Sequence, residues 1–432
     1  MKRDQLTQLI NWKNKKRRKP LLLCGARQVG KTWLAKEFGR KSFKQTAYIN
    51  FDEDRSIHSL FDDNLNPLRL VTALKAYTHI EISPDDTLII FDEVQECPRA
   101  LSSLKYFNEE TPEFKIIATG SQMGVAIHPG TSFPVGQVDI MTLYPLSFRE
   151  FLDAIGEQEL RAILETDDFG LMKSFSGKLI ERLKQYYFIG GMPEAVETFI
   201  ESNSFKNVRE IQNNIVNLYE QDFSKHAYPQ LVPRLNMVWK SISSQLSKEN
   251  KKFVYGLIRK GGRAKDFELA IQWLEDCGLI HKVIRVKKPG IPLSFYTDIS
   301  SFKIFLSDIG LLCAMSGINE SAIIEGNKLF TEFKGALTEQ YVYQQLLTET
   351  NKSVYYYSGD NSRTEIDFLL DGNNAPLPIE VKAEENLQAK SLRVFCQKYN
   401  IPKGIRLSMS DYRDQDWMVN IPLYDTCSLF KY

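Results

Sequence analysis

Residues 25–32 read Gly-Ala-Arg-Gln-Val-Gly-Lys-Thr, directly after the apolar run Leu21-Leu22-Leu23-Cys24 and directly before a helix-forming stretch at 33–38. A G-x-x-x-x-G-K-[ST] octet in this position admits few folds, because a strand must deliver the loop and a helix must leave it. Backbone N–H groups and the positive end of that helix then converge on one anion. Gly25, Ala26, Arg27, Gln28, Val29 and Gly30 would form the cradle, and Lys31 would bring its charge to the β- and γ-phosphates. The Thr32 hydroxyl is placed to hold Mg²⁺. The octet predicts a nucleoside triphosphate site, with ATP and Mg²⁺ as the ligands.

A second apolar run, 87–91, ends in Asp92-Glu93. It reads as a parallel strand covered on both faces, whose carboxylates fall where open α/β sheets bind ligands. Asp92 is the candidate to support Mg²⁺ and Glu93 to polarise the attacking water. Residues 114–120 form another apolar strand, ending at Ser121-Gln122. Either side chain would reach the γ-phosphate or the lytic water, and a helix cap is the alternative for Ser121. A short strand at 48–52 completes a set near 21, 48, 88, 115 and 138, separated by helical stretches. This pattern predicts an α/β fold with a parallel sheet wrapped by helices.

The 432 residues carry a net charge of +1, which argues against a globally basic nucleic-acid binder but leaves a local basic face open. The five His and six Cys show no zinc-type spacing, and the Cys lie mostly in apolar stretches, as buried thiols in a reducing compartment would. No apolar leader opens the sequence and no run of about 20 apolar residues occurs. A cytoplasmic protein without a membrane span is the expectation.

The motifs at 25–32 and 88–95, then Ala118-Thr119-Gly120-Ser121-Gln122, Tyr144-Pro145-Leu146-Ser147-Phe148-Arg149-Glu150-Phe151 and Gly190-Gly191-Met192-Pro193-Glu194 occur in that order. In this combination the chain resembles the AAA-type ATPases of bacteria and archaea that carry a C-terminal domain of unknown function, over essentially its whole length. The resemblance implies an ATPase core at 1–150 and a helical lid at 151–228. Such ATPases often carry an Arg before the last strand of the sheet, where this sequence has Gln137. Arg149 is the nearest substitute for that missing finger, unless it anchors a helix end instead. Relatives often form rings, whereas here monomer, dimer and larger oligomer all stay open.

Residues 229–325 read as three helices (231–246, 253–259, 264–277) and a hairpin (279–286 with 293–297), the pattern of a winged helix. Acidic residues on the third helix favour a protein contact over DNA. Lys282, Arg285, Lys287 and Lys288 on the hairpin, and the cluster Lys13 to Lys19, keep nucleic acid in view. In 326–432, a helix at 333–347 carrying Glu339 precedes Asp367 on one strand and Glu380-x-Lys382 on the next. This arrangement resembles the PD-(D/E)XK nucleases, a restriction-endonuclease-like fold. There Asp367 and Glu380 would bind Mg²⁺ or Mn²⁺, and Lys382 would orient the water or steady the transition state. A buried ion-pair cluster is the alternative. Three functions follow: an ATPase acting on a protein partner, an ATP-regulated nuclease of DNA or RNA, and a non-hydrolysing nucleotide sensor that assembles when ATP binds.

Overall fold

The structure is a computed structural model that describes residues 1–120, 134–248, 252–321, 328–350, 352–359, 364–383 and 389–431. The chain divides into two compact units. One comprises Lys2–Tyr144 with the short stretch Asp276–Gly278; the other contains Pro145–Glu275 and Leu279–Tyr432.

The first unit is built on strands β1 (Leu21–Cys24), β2 (Gln45–Asn50), β3 (Thr87–Asp92), β4 (Lys115–Thr119) and β5 (Asp139–Thr142). They lie in the order β2-β3-β4-β1-β5, with every neighbouring pair parallel. Every residue of β1 and β3 is buried, as unbroken apolar runs in a sheet covered on both faces require. Phe51, Phe61 and Phe91 pack edge to face at 5.5–5.8 Å between ring centres and anchor one side of this core. The chain leaves β1 for the far edge and returns strand by strand. The C-terminal tips of β1, β4 and β3 therefore lie side by side, at the sheet end where ligands bind in such folds.

The second unit opens with helices. Ser147 caps Phe148–Ala154 in a reciprocal capping box with Glu150. Further helices run to His226, including Ser176–Ile189, Pro193–Ser202 and Phe205–His226. The break at Gly190-Gly191 turns the chain between two of them. A Cβ on Gly191 would overlap the carbonyl oxygen of Leu146, so the approach of the two backbones requires glycine.

Beyond the helices lies an eight-stranded mixed sheet: β6 (Ile280–Val286), β7 (Thr297–Leu306), β8 (Tyr355–Ser358), β9 (Glu365–Asp371), β10 (Pro376–Val381), β11 (Gly404–Ser408), β12 (Arg413–Asp414) and β13 (Met418–Pro422). Its order is β12-β13-β11-β10-β9-β8-β6-β7. Two features depart from the sequence expectation. The hairpin read as a wing is continuous with the C-terminal sheet, because β6 pairs in parallel with β8 through Ile284↔Tyr355. The second hairpin strand also starts later: Leu293–Tyr296 is a 3₁₀ turn, and the strand runs Thr297–Leu306. Its residues 301–306 are all buried, so no apolar–polar alternation marks them in the sequence. The three helices before the hairpin fall at Val232–Leu246, Tyr255–Ile258 and Ala264–Asp276.

Candidate nucleotide site and the C-terminal acidic cluster

The octet forms the turn between β1 and the helix Lys31–Ser42. Gly25 takes φ +147°, and a Cβ there would overlap the Leu143 carbonyl oxygen. Gln28 and Gly30 also have positive φ, which folds successive N–H groups toward the inside of the loop. Arg3, buried, braces the loop from outside. Its guanidinium donates to the Tyr144 carbonyl at 2.5 Å and the Val29 carbonyl at 3.4 Å. Lys31, 7% exposed, donates to the carbonyls of Gly25 at 3.1 Å and Ala26 at 2.8 Å. Burial draws its pKa below the ordinary lysine value, opposed by Glu93, Cys24 and Asp92. An ammonium held in this way gains when an anion enters the loop.

Asp92, 2% exposed, sits at the tip of β3. Thr32 Oγ1 donates to its Oδ1 at 3.0 Å, and the Tyr48 hydroxyl donates to its Oδ2 at 2.7 Å. The Thr119 hydroxyl, at the tip of β4, also donates to Oδ1. Three hydroxyls thus satisfy a buried carboxylate and fix its direction. Glu93 follows in the left-handed region, with φ +51°, and accepts a hydrogen bond from the Gln95 amide. The left-handed turn separates the two acids, leaving Asp92 buried and Glu93 partly open. A hydroxyl and a carboxylate in contact beside a phosphate-type loop suit a hydrated Mg²⁺, so the residues fit that ion.

Ser121 and Gln122 lie outside the described residues. Tyr48, Thr119, Arg3 and Gln95 were not singled out in the sequence. Only Thr119 carried a readable signal, a hydroxyl at a strand tip beside the motif strands. Gln137, where the resemblance led to the expectation of an Arg, is tied to the helix Pro98–Glu110 through Asn108 and Glu109. Arg149 belongs to the other unit, where its guanidinium donates to the Leu164 carbonyl at 3.2 Å and lies 3.5 Å from the buried Asp425 carboxylate. Much of the basic cluster is also used internally. Lys15 pairs with Asp139 at 3.0 Å, and Arg18 donates to the Pro112 carbonyl at 2.8 Å. On the hairpin, Lys282 pairs with Glu275 at 2.7 Å, and Arg285 lies 3.6 Å from Asp298.

In the second unit, the sheet brings Asp367 and Glu380 to neighbouring strands. Asp367 Oδ2 accepts the Val381 N–H at 2.8 Å, and Glu380 Oε1 pairs with Lys382 at 2.7 Å. Glu339 reaches the same region from the helix Lys328–Glu349. A residue absent from the sequence reading, Lys303 on β7, lies among them, 2.7 Å from Glu365 and 3.7 Å from Glu339. Among the described residues, no three His, Cys, Asp or Glu side chains converge to hold a metal ion. The expected pair Asp367 and Glu380 therefore turns to ammonium and N–H partners, which does not fit a divalent-ion site. Among the described residues, none of the six cysteines forms a disulfide. Among the described residues, no helix is long and apolar enough to cross a membrane.

Residues 17–152 match the AAA domain family, 180–322 a domain of unknown function (DUF8612), and 334–424 another (DUF4143). The AAA match covers most of the unit that carries the parallel sheet and its phosphate-type loop. Among solved structures, the chain is similar to a Walker-type ATPase of Pyrococcus abyssi, at 14% identity over 73% of this chain and 95% of that one, with a TM-score of 0.45. It is similar to the Orc1 protein of Aeropyrum pernix in complex with DNA, at 14% identity over 73% and 91%, with a TM-score of 0.28. Cdc6p of Pyrobaculum aerophilum shares 13% identity over 74% and 93%, with a TM-score of 0.26. No curated protein matches the chain.

Proposed function

We propose that the chain is a Mg²⁺-dependent ATPase whose hydrolytic site lies at the tips of β1, β4 and β3. The contact that carries this reading is Thr32 Oγ1 to Asp92 Oδ1 at 3.0 Å, beside the loop that holds Lys31. Thr32 and Asp92 would hold Mg²⁺, which when bound supplies positive charge to the phosphate oxygens. The loop's N–H groups bind and orient the triphosphate, and Lys31 balances its β/γ charge. Glu93 polarises the attacking water and takes up its proton as the bond between the γ-phosphorus and the β-bridging oxygen breaks. Tyr48 and Thr119 keep the Asp92 carboxylate aimed.

Gln137 and Arg149 are both engaged within the chain, which supports slow basal turnover that a partner raises. We take the C-terminal segment as an adaptor for such a partner; the pairing of Glu380 with Lys382 and the Val381 N–H on Asp367 give a nuclease reading no support. Phosphate release by wild type, Lys31→Ala and Glu93→Gln tests the ATPase. Lys31→Ala should weaken ATP binding by at least about tenfold, the worth of one charge-assisted contact. Glu93→Gln should bind ATP and turn it over slowly. Equal rates in all three proteins would refute the assignment.

A further inference from the structure

Lys303 stands at the sheet edge, yet its side chain is 0% exposed. It lies across the sheet face and reaches two elements far from its own strand. Its ammonium is 2.7 Å from Glu365 Oε1 on β9 and 3.7 Å from Glu339 Oε2 on the helix Lys328–Glu349, and 5.0 Å from the centre of the Tyr356 ring. The short contact to Glu365 is an ion pair between opposite charges. An ammonium taken out of water persists only where opposite charge surrounds it. Here burial opposes the charge, while attraction from Glu339, Glu365 and Asp367 outweighs it and raises the pKa above the ordinary lysine value.

The neighbouring carboxylates are committed in the same manner. Asp367 accepts the Val381 N–H at 2.8 Å, and Glu380 accepts the Leu392 N–H at 3.2 Å while pairing with Lys382 at 2.7 Å. Four carboxylates thus turn to two ammoniums and two backbone N–H groups. They do not point to one common centre.

We propose that Lys303 is the resident cation of this cluster, an ammonium supplied by β7 that binds Glu365 and Glu339 together where a nuclease-type cluster would use a divalent ion. The C-terminal acidic centre is then a metal-independent clasp. It fixes the edge strand β7 to β9 and to the helix above, and it cleaves no phosphodiester.

The test uses the full chain without nucleotide, titrated with Mn²⁺, the bound ion being counted by electron paramagnetic resonance. Wild type, Asp367→Asn and Glu380→Gln should bind the same number of Mn²⁺ ions, since the P-loop site is common to all three. One further equivalent in wild type, lost in either variant, would overturn the proposal. Lys303→Met should melt lower than wild type by about 5 °C or more, because it strands buried carboxylates. Adding Glu365→Gln to Lys303→Met should cost less than its effect in wild type, the signature of a coupled pair. Wild-type melting of Lys303→Met would also overturn the clasp. If that variant fails to fold, the Mn²⁺ count among the other three proteins still decides.

Discussion

The hydroxyl of Tyr48 donates to Asp92 Oδ2 at 2.7 Å, from the strand beside β3. Its ring also lies 3.5 Å from the Lys36 ammonium, so the phenol is held from both ends. Burial and the adjacent carboxylate push the Tyr48 pKa up, which keeps the hydroxyl protonated and donating. Tyr48→Phe removes one hydrogen bond to a charged group and leaves the packing in place. The loss should lower kcat about tenfold and raise the Mg²⁺ concentration needed for half-maximal rate. A Mg²⁺ titration of ATP hydrolysis checks this, and an unchanged Mg²⁺ requirement would remove Tyr48 from the site.

Gly191 meets the Leu146 backbone, where its N–H also donates to the buried Asp308 carboxylate at 2.6 Å. Gly191→Ala drives a methyl into a carbonyl oxygen that belongs to the backbone and cannot turn aside. Destabilisation of the second unit by about 2 kcal/mol or more is expected. Denaturant unfolding measures it, and a midpoint equal to wild type would contradict the packing described here.

Asp308 caps the helix Ile309–Met315 through the Leu311 N–H, at 3.0 Å. Burial pushes its carboxyl up to about 6, against the lowering effect of the hydrogen bonds from Gly191 and Leu311. A carboxyl whose pKa is raised on folding stabilises the native state fully below its unfolded value, near 3.8. That contribution is lost as pH climbs through about 6. Buried Asp425, also raised to about 6 by burial, acts in the same direction. Unfolding free energy followed from pH 4 to 7 should therefore fall less steeply in Asp308→Asn than in wild type, by about 1–3 kcal/mol over the window. Parallel slopes would show that Asp308 is not shifted.

Arg149→Ala should destabilise the fold rather than disable hydrolysis. It removes the donor to the Leu164 carbonyl and the charge beside Asp425, whose side chain is 0% exposed. Because Asp425 can take a proton once its partner is gone, the cost should be about 1–3 kcal/mol, below that of stranding a permanent charge. Mixing Arg149→Ala with Glu93→Gln protein and assaying ATP hydrolysis checks the alternative. Mutual restoration of activity would make Arg149 a finger acting between subunits.

The first unit was the more legible half of the sequence. Its strands are short, β1 and β3 are buried along their whole length, and 21, 48, 88, 115 and 138 all fall within a residue of an observed strand. Local pattern suffices where the topology is a regular alternation. In the second unit the informative pairings are distant. Nothing near Ile284 announces Tyr355 as its neighbour, so the hairpin was read as an independent wing when it is one edge of a larger sheet. Lys303 escaped for the same reason: a lone lysine inside an apolar strand acquires meaning only when β9 and the helix Lys328–Glu349 are brought to it. Around the loop, motif spacing pointed to Thr32 and Asp92. It could not point to Tyr48 or Arg3, whose positions depend on strand register and on the path of the N-terminal segment.

Magnesium-dependent ATP binding, measured by titration calorimetry on the purified full chain and on Lys31→Ala, addresses the proposed site most directly. Wild type should bind Mg²⁺-ATP with a Kd below about 1 mM, lose affinity when Mg²⁺ is withdrawn, and bind at least about tenfold more tightly than Lys31→Ala. Folded wild-type protein with no magnesium-dependent affinity for ATP, or with the same affinity as Lys31→Ala, would contradict it.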